Sequence, residues 1–271
     1  MSQYITQVDK SDEQRQTKKR HLPDTPQNFG FNIFETRNIL VIKFLFFLFL
    51  FSSQNGEGQT IYGVSGIIKT PSAYVVNNDD FVFGAAYFKD YHTNSDELIK
   101  QWTINLNAGI FSRFELGLRL AILPDITGDS PIFDVSFDRM ISGKYVLFKE
   151  ENVLPQIAFG MQDVVGTRLH NSTYLTASKT IQIEFYSLLL NLGYGSKLND
   201  SVFGNAESHH FLGPFGGAEI GLKKRIYLMV EYDARDFNMG LKIVVKDWFN
   251  FNFSLFKMEY PSMGISLKFS I

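Results

Sequence analysis

The chain has 271 residues, a formal net charge of −2 and no cysteine, with 45% hydrophobic and 20% charged residues. That balance excludes a polytopic helical membrane protein, which needs several long apolar runs, and it carries none of the basic excess of a nucleic-acid binder. The missing cysteines exclude disulfides, thiolate metal sites, cysteine nucleophiles and the lipid-attachment cysteine of a bacterial lipoprotein, while 27 Phe and 12 Tyr favour strands.

Residues 1–36 are polar and charged without hydrophobic periodicity, which predicts a disordered extension or a mis-assigned start. Residues 37–58 read as a signal peptide. Arg37 and Lys43 surround a greasy run from Ile39 to Phe51, and small residues including Gly56 and Gly58 follow, leaving Gln59 as the mature start. A single membrane anchor at the same place is the alternative. Residues 59–271 form the folded domain.

From there about twelve alternating segments follow, separated by turn signals. They lie at 81–91, 102–110, 114–122, 135–148, 155–164, 173–181, 184–194, 215–223, 226–233, 238–246, 248–257 and 262–271. Successive side chains in an extended chain point to opposite faces. In "WTINLNAGI", Trp102, Ile104, Leu106, Ala108 and Ile110 oppose Thr103, Asn105, Asn107 and Gly109. The link "FSR", 111–113, reads as a tight hairpin into "FELGLRLAI". In "WFNFNFSLF", Phe249, Phe251, Phe253 and Leu255 oppose Asn250, Asn252 and Ser254. No comparable run has helical periodicity.

A soluble sandwich alternates with its greasy face inward; a transmembrane barrel turns that face to lipid and keeps a polar lumen. Four features favour the barrel. The segments are mostly 9–11 residues, the length that spans a bilayer when tilted. The greasy faces are uniform, while the opposite faces mix Gly, Ser, Asn, Thr and isolated charges. Aromatics recur near segment ends, at Trp102, Tyr186, Tyr194, Tyr232 and Phe249, as interfacial girdles do. The signal peptide delivers the chain to a compartment bordering such a membrane. Unpaired backbone groups in hydrocarbon cost several kcal/mol each, so the sheet must close. The expectation is an all-β, antiparallel transmembrane β-barrel of about 12 strands in a bacterial outer membrane. The ending "SMGISLKFSI" places Ser262, Gly264, Leu267 and Phe269 in the spacing of a barrel-assembly signal, with the final aromatic two residues inward.

Particular words resemble a known family. "YGVSGIIKTPSAYV" (62–75) is similar to the glycine-rich opening motif of YjbH-type proteins, with Gly66, Pro71, Ser72 and Ala73 at motif positions. "FDRMISGKYVLFKEENVLPQIAFGMQDVVGT" (137–167) resembles that family's central signature, through Asp138, Pro155, Gly160, Asp163, Gly166 and Thr167. "YLTASK", with Lys179, and "VEYD", with Glu231, Tyr232 and Asp233, match later landmarks. The resemblance implies an outer-membrane barrel linked to exopolysaccharide production and secretion. It also implies as partners outer-membrane lipid and lipopolysaccharide, the barrel-assembly machinery, exopolysaccharide and periplasmic export proteins. The chain is shorter than the long members of that family.

Physically, Pro155 sits at a strand start, where its missing N–H does least harm. Asp163 is expected to open a turn completed by Gly166 and Thr167. Residues 61–75 are expected to form either a barrel strand or an inward-folded segment. Parity places Glu115, Arg119, Asp138, Lys144, Gln162, Glu219, Glu231 and Lys242 on the lumen side. These form either a polar path or saccharide-binding wall, or structural ion pairs that stiffen a wide lumen; the second reading is favoured. Glu115 and Arg119, four apart on a strand and about 13 Å by rise, are not each other's partner. Asn105, Asn107, Asn250 and Asn252 are candidates to meet sugar hydroxyls. His209–His210 reads as a solvated loop, because no spaced ligands complete a metal set. No nucleophile elbow, triad, Walker or dinucleotide motif occurs, and no cofactor is expected. The expected role is non-catalytic support of polymer export or surface assembly. A general porin is the alternative, and a barrel-embedded hydrolase a third.

Overall fold

The computed structural model describes residues 58–91, 98–124, 135–166, 168, 170–197 and 211–271. The expected polar extension, the signal peptide, Thr167 and the His209–His210 loop lie outside these residues. Twelve strands follow in order: β1 (Asp80–Tyr91), β2 (Leu98–Ile110), β3 (Phe114–Pro124), β4 (Val135–Phe148), β5 (Gln156–Gly166), β6 (Ser172–Ile183), β7 (Tyr186–Ser196), β8 (Gly213–Leu222), β9 (Ile226–Tyr232), β10 (Phe237–Lys246), β11 (Phe249–Phe256) and β12 (Tyr260–Ser270). Each pairs antiparallel with its sequence neighbours, and β12 returns to β1 from Asp80↔Ser270 to Tyr87↔Met263. The sheet is therefore a closed barrel.

Closure explains the alternation. Leu192 is 69% exposed and Phe253 46%, both on the outer face, whereas Asn107 and Glu115 are fully buried inside. This is the reverse of a water-soluble core. The outer face carries aromatic residues near both rims: Tyr186, Trp248 and Phe269 at one, Phe137, Tyr194 and Phe237 at the other.

The two rims differ. At the rim where β1 starts and β12 ends, the connections 111–113, 184–185, 223–225 and 247–248 are short, with 149–155 the longest. At the opposite rim, 92–97, 125–134 and 197–212 separate strands, alongside the shorter links 167–171, 233–236 and 257–259. Several short links use consecutive residues with positive φ, such as Phe111 and Ser112 (54° and 52°) and Lys223 and Lys224 (48° and 55°). That geometry matches the right-handed twist of paired strands, which is why "FSR" closes a tight hairpin.

One expectation needs correcting. Asp163 does not begin the turn after β5; the strand continues to Gly166. Asp163 instead adopts φ 50° within it, and the β4–β5 register shifts between Ile141 and Gly143. The bulge turns the Asp163 carboxylate to accept the His170 N–H at 2.8 Å, so it organises the link into β6 from within the strand.

A twelve-stranded barrel is wider than the eight-stranded kind that side chains alone can fill. Here the extra space holds the chain's own segment. Residues 59–76, which include the 61–75 stretch left open between strand and inward fold, run inside the barrel, and Tyr62, Val64, Ile67, Ile68, Thr70 and Ala73 are buried there. Toward the long-loop rim, Tyr62, Ile67 and Ile68 join Phe88, Tyr174, Phe211, Phe215 and Phe256 in one apolar cluster. The barrel thus has an oily outside, a polar inner wall and an apolar stopper near one end.

Candidate functional site: the filled lumen

The inward segment is folded on itself by two isolated bridges, Gln59↔Ser65 and Gly66↔Pro71. Gly66 is required by close approach, because a Cβ there would lie 2.2 Å from the Thr70 carbonyl oxygen. Gly117 of β3 makes room from the wall side: its Cβ would lie 2.1 Å from the Gly63 carbonyl oxygen.

Two buried carboxylates hold this segment. Glu231 of β9 accepts the backbone N–H groups of Ile68, Lys69 and Thr70 at 3.1, 2.9 and 3.1 Å, and the Thr70 hydroxyl at 2.8 Å. Asn238 of β10 donates to it at 3.1 Å. Glu115 of β3 accepts the Ser65 N–H at 2.7 Å, the Val76 N–H at 3.0 Å, the Asn107 amide at 2.9 Å and the Ser65 hydroxyl. Lys144, directly opposite Glu115 on β4, stands 3.6 Å away and donates to the Ser65 carbonyl at 2.8 Å. Backbone donors turned inward by the tight turns would otherwise be stranded away from water, and each carboxylate satisfies several at once.

The far wall grips the "TPSA" portion. Asn191 of β7 donates to the Pro71 carbonyl at 3.0 Å, Ser178 of β6 accepts the Ala73 N–H at 2.7 Å, and Gln156 of β5 donates to the Ala73 carbonyl at 2.8 Å. Tyr74 donates to Glu150 in the β4–β5 turn and lies 2.8 Å from the Thr180 hydroxyl. Glu150 also pairs with Lys179 at 3.0 Å.

Near the long-loop rim Lys69 pairs with Asp90 at 2.8 Å and Asp233 at 3.1 Å, and lies over the Phe256 ring at 4.7 Å. Tyr62 donates to the same Asp90 at 2.9 Å. Burial works against a charge on Lys69, but the Asp90 carboxylate beside it, with Tyr62 and Asp233, raises its amine well above the usual range. Burial alone would raise the Asp233 carboxyl; Lys69, the Asp236 N–H and the Asn238 amide outweigh this and hold it low. Glu150 is held low in the same way, by Tyr74 and Lys179 against burial.

These shifts fix a pH window. The raised Lys69 stabilises docking fully below its ordinary value of 10.5, and that contribution is lost as pH rises through the raised value. The lowered Asp233 and Glu150 contribute above their ordinary values of 3.8 and 4.5, and lose this as pH falls through the lowered ones. The contribution of these three groups to the thermal midpoint in detergent is therefore expected to be constant between these limits and to fall on both sides. Lys69→Met should shrink the alkaline fall and, by removing the partner of Asp233, part of the acid one. Identical pH profiles for the variant and the parent would contradict this account.

The residues singled out by parity all lie inside. Glu115, Arg119, Asp138, Lys144, Gln162, Glu219, Glu231 and Lys242 are each at most 8% exposed. They do not form one site. Arg119 pairs with Asp138 at 2.6 Å and donates to Gln101 at 3.0 Å, while Lys242 pairs with Glu219 at 2.8 Å across β9. Gln162 is buried beside Ser172, its register partner on β6. Two of the asparagines assigned to sugar contacts are occupied otherwise: Asn105 donates to the Ile61 carbonyl at 3.4 Å, and Asn107 binds Glu115 and Gln59. Asn252 donates to Asn250 at 3.1 Å on the inner face of β11.

The motif positions divide by role. Gly66, Pro71, Ser72 and Ala73 belong to the inward segment, and Glu231 and Asp233 to its receptors. Gly160 lies under the Tyr174 ring, whose Cζ would be 2.2 Å from a Cβ there. Pro155 immediately precedes β5, and Gly166, with φ 138°, ends it. Tyr232 faces outward against Phe237, ring centroids 5.0 Å apart. Lys69, Asp90, Ser178 and Asn191 were not anticipated. The contacts they make between the inward segment and the wall join residues 21 to 164 apart in sequence, so no local spacing marks them. Among the described residues no group of three or more His, Cys, Asp or Glu is placed to hold a metal ion.

A curated relative from Escherichia coli (strain K12), described as "Uncharacterized lipoprotein YjbH", is 25% identical over 259 aligned residues. The match covers 79% of this chain and 35% of the relative, so the chain spans about a third of that protein's length. A family described as "Exopolysaccharide biosynthesis protein YbjH" matches residues 58–271, which take in the inward segment and all twelve strands. Residues 58–271, inward segment and barrel together, therefore belong to the YjbH exopolysaccharide biosynthesis family.

Proposed function

We propose that this protein is a bacterial outer-membrane barrel that supports export or surface assembly of an exopolysaccharide, without catalysing a reaction. The observation that carries the membrane part is the inverted wall: large apolar side chains face outward all round a closed barrel, and polar and charged ones face inward. In water such a surface would aggregate; in acyl chains it is the stable arrangement. The short-turn rim then faces the periplasm and the long-loop rim the cell exterior, as in outer-membrane barrels generally. The polymer part rests on family membership. Lipid, lipopolysaccharide and the barrel-assembly machinery are the partners such a wall requires, with periplasmic export proteins meeting the short-turn rim.

A general porin is the second reading, and the inward segment weighs against it. A diffusion pore keeps its lumen open, whereas here a folded segment bonded to β3, β5, β6, β7 and β9 lies across it. A deletion strain tests the proposal: loss of a secreted polymer, restored by the full chain in trans, is expected. Normal polymer in the deletion strain, together with steady large conductance of the purified protein in planar bilayers, would favour the porin.

A further inference from the structure

A cavity of about 340 Å³ opens at the short-turn rim, below the inward segment. Its walls come from three sources: Ser72 and Tyr74 of the segment, Gln182 and Ser187 flanking the β6–β7 turn, and Tyr227 with the Lys242–Glu219 pair from β8, β9 and β10. Exposed Ser112 and Lys149 mark its mouth. The size falls within the range of small-molecule pockets, about 300–1,000 Å³.

The chemistry of the walls narrows the occupant. Glu219 is neutralised by Lys242 at 2.8 Å, so among the described residues the only other charge on the lining is Lys149 at the mouth. A field of that kind does not select a strongly anionic ligand. Most of the remaining polar surface is hydroxyl and amide. Among the described residues, the side-chain polar groups of Ser72, Gln182, Ser187 and Tyr227 have no hydrogen-bond partner, while Tyr74 and Gln156 nearby are committed to the protein. Uncommitted hydroxyls and an amide both donate and accept, which suits a ligand dense in hydroxyl groups. The half-buried Tyr74 ring adds an apolar face of the size that a pyranose ring can cover, while the Tyr227 ring is taken by the Lys242 ammonium at 4.3 Å and offers its hydroxyl alone.

We infer that this cavity is a binding site for a short, uncharged saccharide segment, reached from the short-turn rim. The inference rests on the polymer reading above for its biological context and adds to it the place, the residues and the charge class of the sugar. The inward segment forms the ceiling of the site, so a bound saccharide touches Ser72 and Tyr74 and thereby contacts the element that fills the lumen.

Titration calorimetry tests this with the purified full chain in a detergent that carries no sugar headgroup. Maltotriose, cellotriose and tri-N-acetylchitotriose serve as uncharged probes, and trigalacturonate as the charged one. At least one uncharged probe is expected to bind saturably at about 1 mM or below. The double variant Gln182→Ala/Ser187→Ala, whose side chains have no hydrogen-bond partner among the described residues, should keep its melting profile and bind that probe about tenfold more weakly. No saturable binding, binding confined to trigalacturonate, or unchanged affinity in the double variant would each overturn the site. Failure here with polymer lost in the deletion strain removes the cavity and leaves the export reading. Probe binding with normal polymer in that strain does the opposite.

Discussion

Replacing Glu231 by alanine is expected to release the inward segment while leaving the barrel closed. The Glu231 carboxylate takes three consecutive backbone N–H groups and the Thr70 hydroxyl, all buried. Alanine strands those donors in a dry interior, and truncating one side of a buried charged network costs about 3–5 kcal/mol. The wall itself loses little, because β9 keeps its ladders to β8 and β10 from Ile226 to Tyr232. Hydrogen exchange of the amides of residues 65–76 should therefore speed up by orders of magnitude, with β1 to β12 still protected. Glu231→Gln keeps one acceptor and should fall between. Uniform loss of protection across the strands, or unchanged protection of residues 65–76, would each contradict this reading of Glu231.

A charge on the outer face should have the second-largest effect. Leu190 lies midway along β7 and is 45% exposed, with Ala218 and Lys179 as its register partners. Leu190→Arg should destabilise the barrel by about 2–4 kcal/mol if that face meets the middle of a bilayer. A fall in the yield of assembled barrel and in its melting point in lipid is expected. A soluble sandwich would tolerate an arginine at an exposed position, since surface changes are usually within about 0.5 kcal/mol. A variant that assembles and melts like the parent would remove the lipid-facing assignment of β7.

The strands were legible because alternation over a pleated wall is a local signal. In β7, "YSLLLNLGYGS" reads directly as Tyr186, Leu188, Leu190, Leu192 and Tyr194 on one side, and the register to β6 and β8 keeps them there. Where the reading stopped short, polar residues had replaced apolar ones on one face. β2 begins at Leu98 rather than Trp102, because Lys100 and Gln101 pair with Lys89 and Phe88 of β1 beyond the apolar band. The inward segment was legible only as one of two alternatives. "YGVSGIIKTPSAYV" has neither period, and what fixes it is a set of receptors such as Glu231, more than 160 residues away. The same limit explains the asparagines. Parity placed Asn105 and Asn107 on the inner wall, but only the folded segment shows that they meet Ile61 and Gln59. Asp163 was misread because a turn-forming residue type can as readily make a bulge, and the register of β4 decides which.

All of this depends on acyl chains wetting the outer face, and the chain's two tryptophans report on that face directly. Trp102 is 57% exposed and Trp248 50%, the first toward the long-loop rim and the second in a short turn at the other rim. With the protein reconstituted in vesicles, phospholipids brominated along the acyl chain should quench the fluorescence of both. The single-tryptophan variants Trp102→Phe and Trp248→Phe should each retain quenching of the remaining residue. Emission indifferent to brominated lipid, from a protein that stays monodisperse without detergent, would contradict the account.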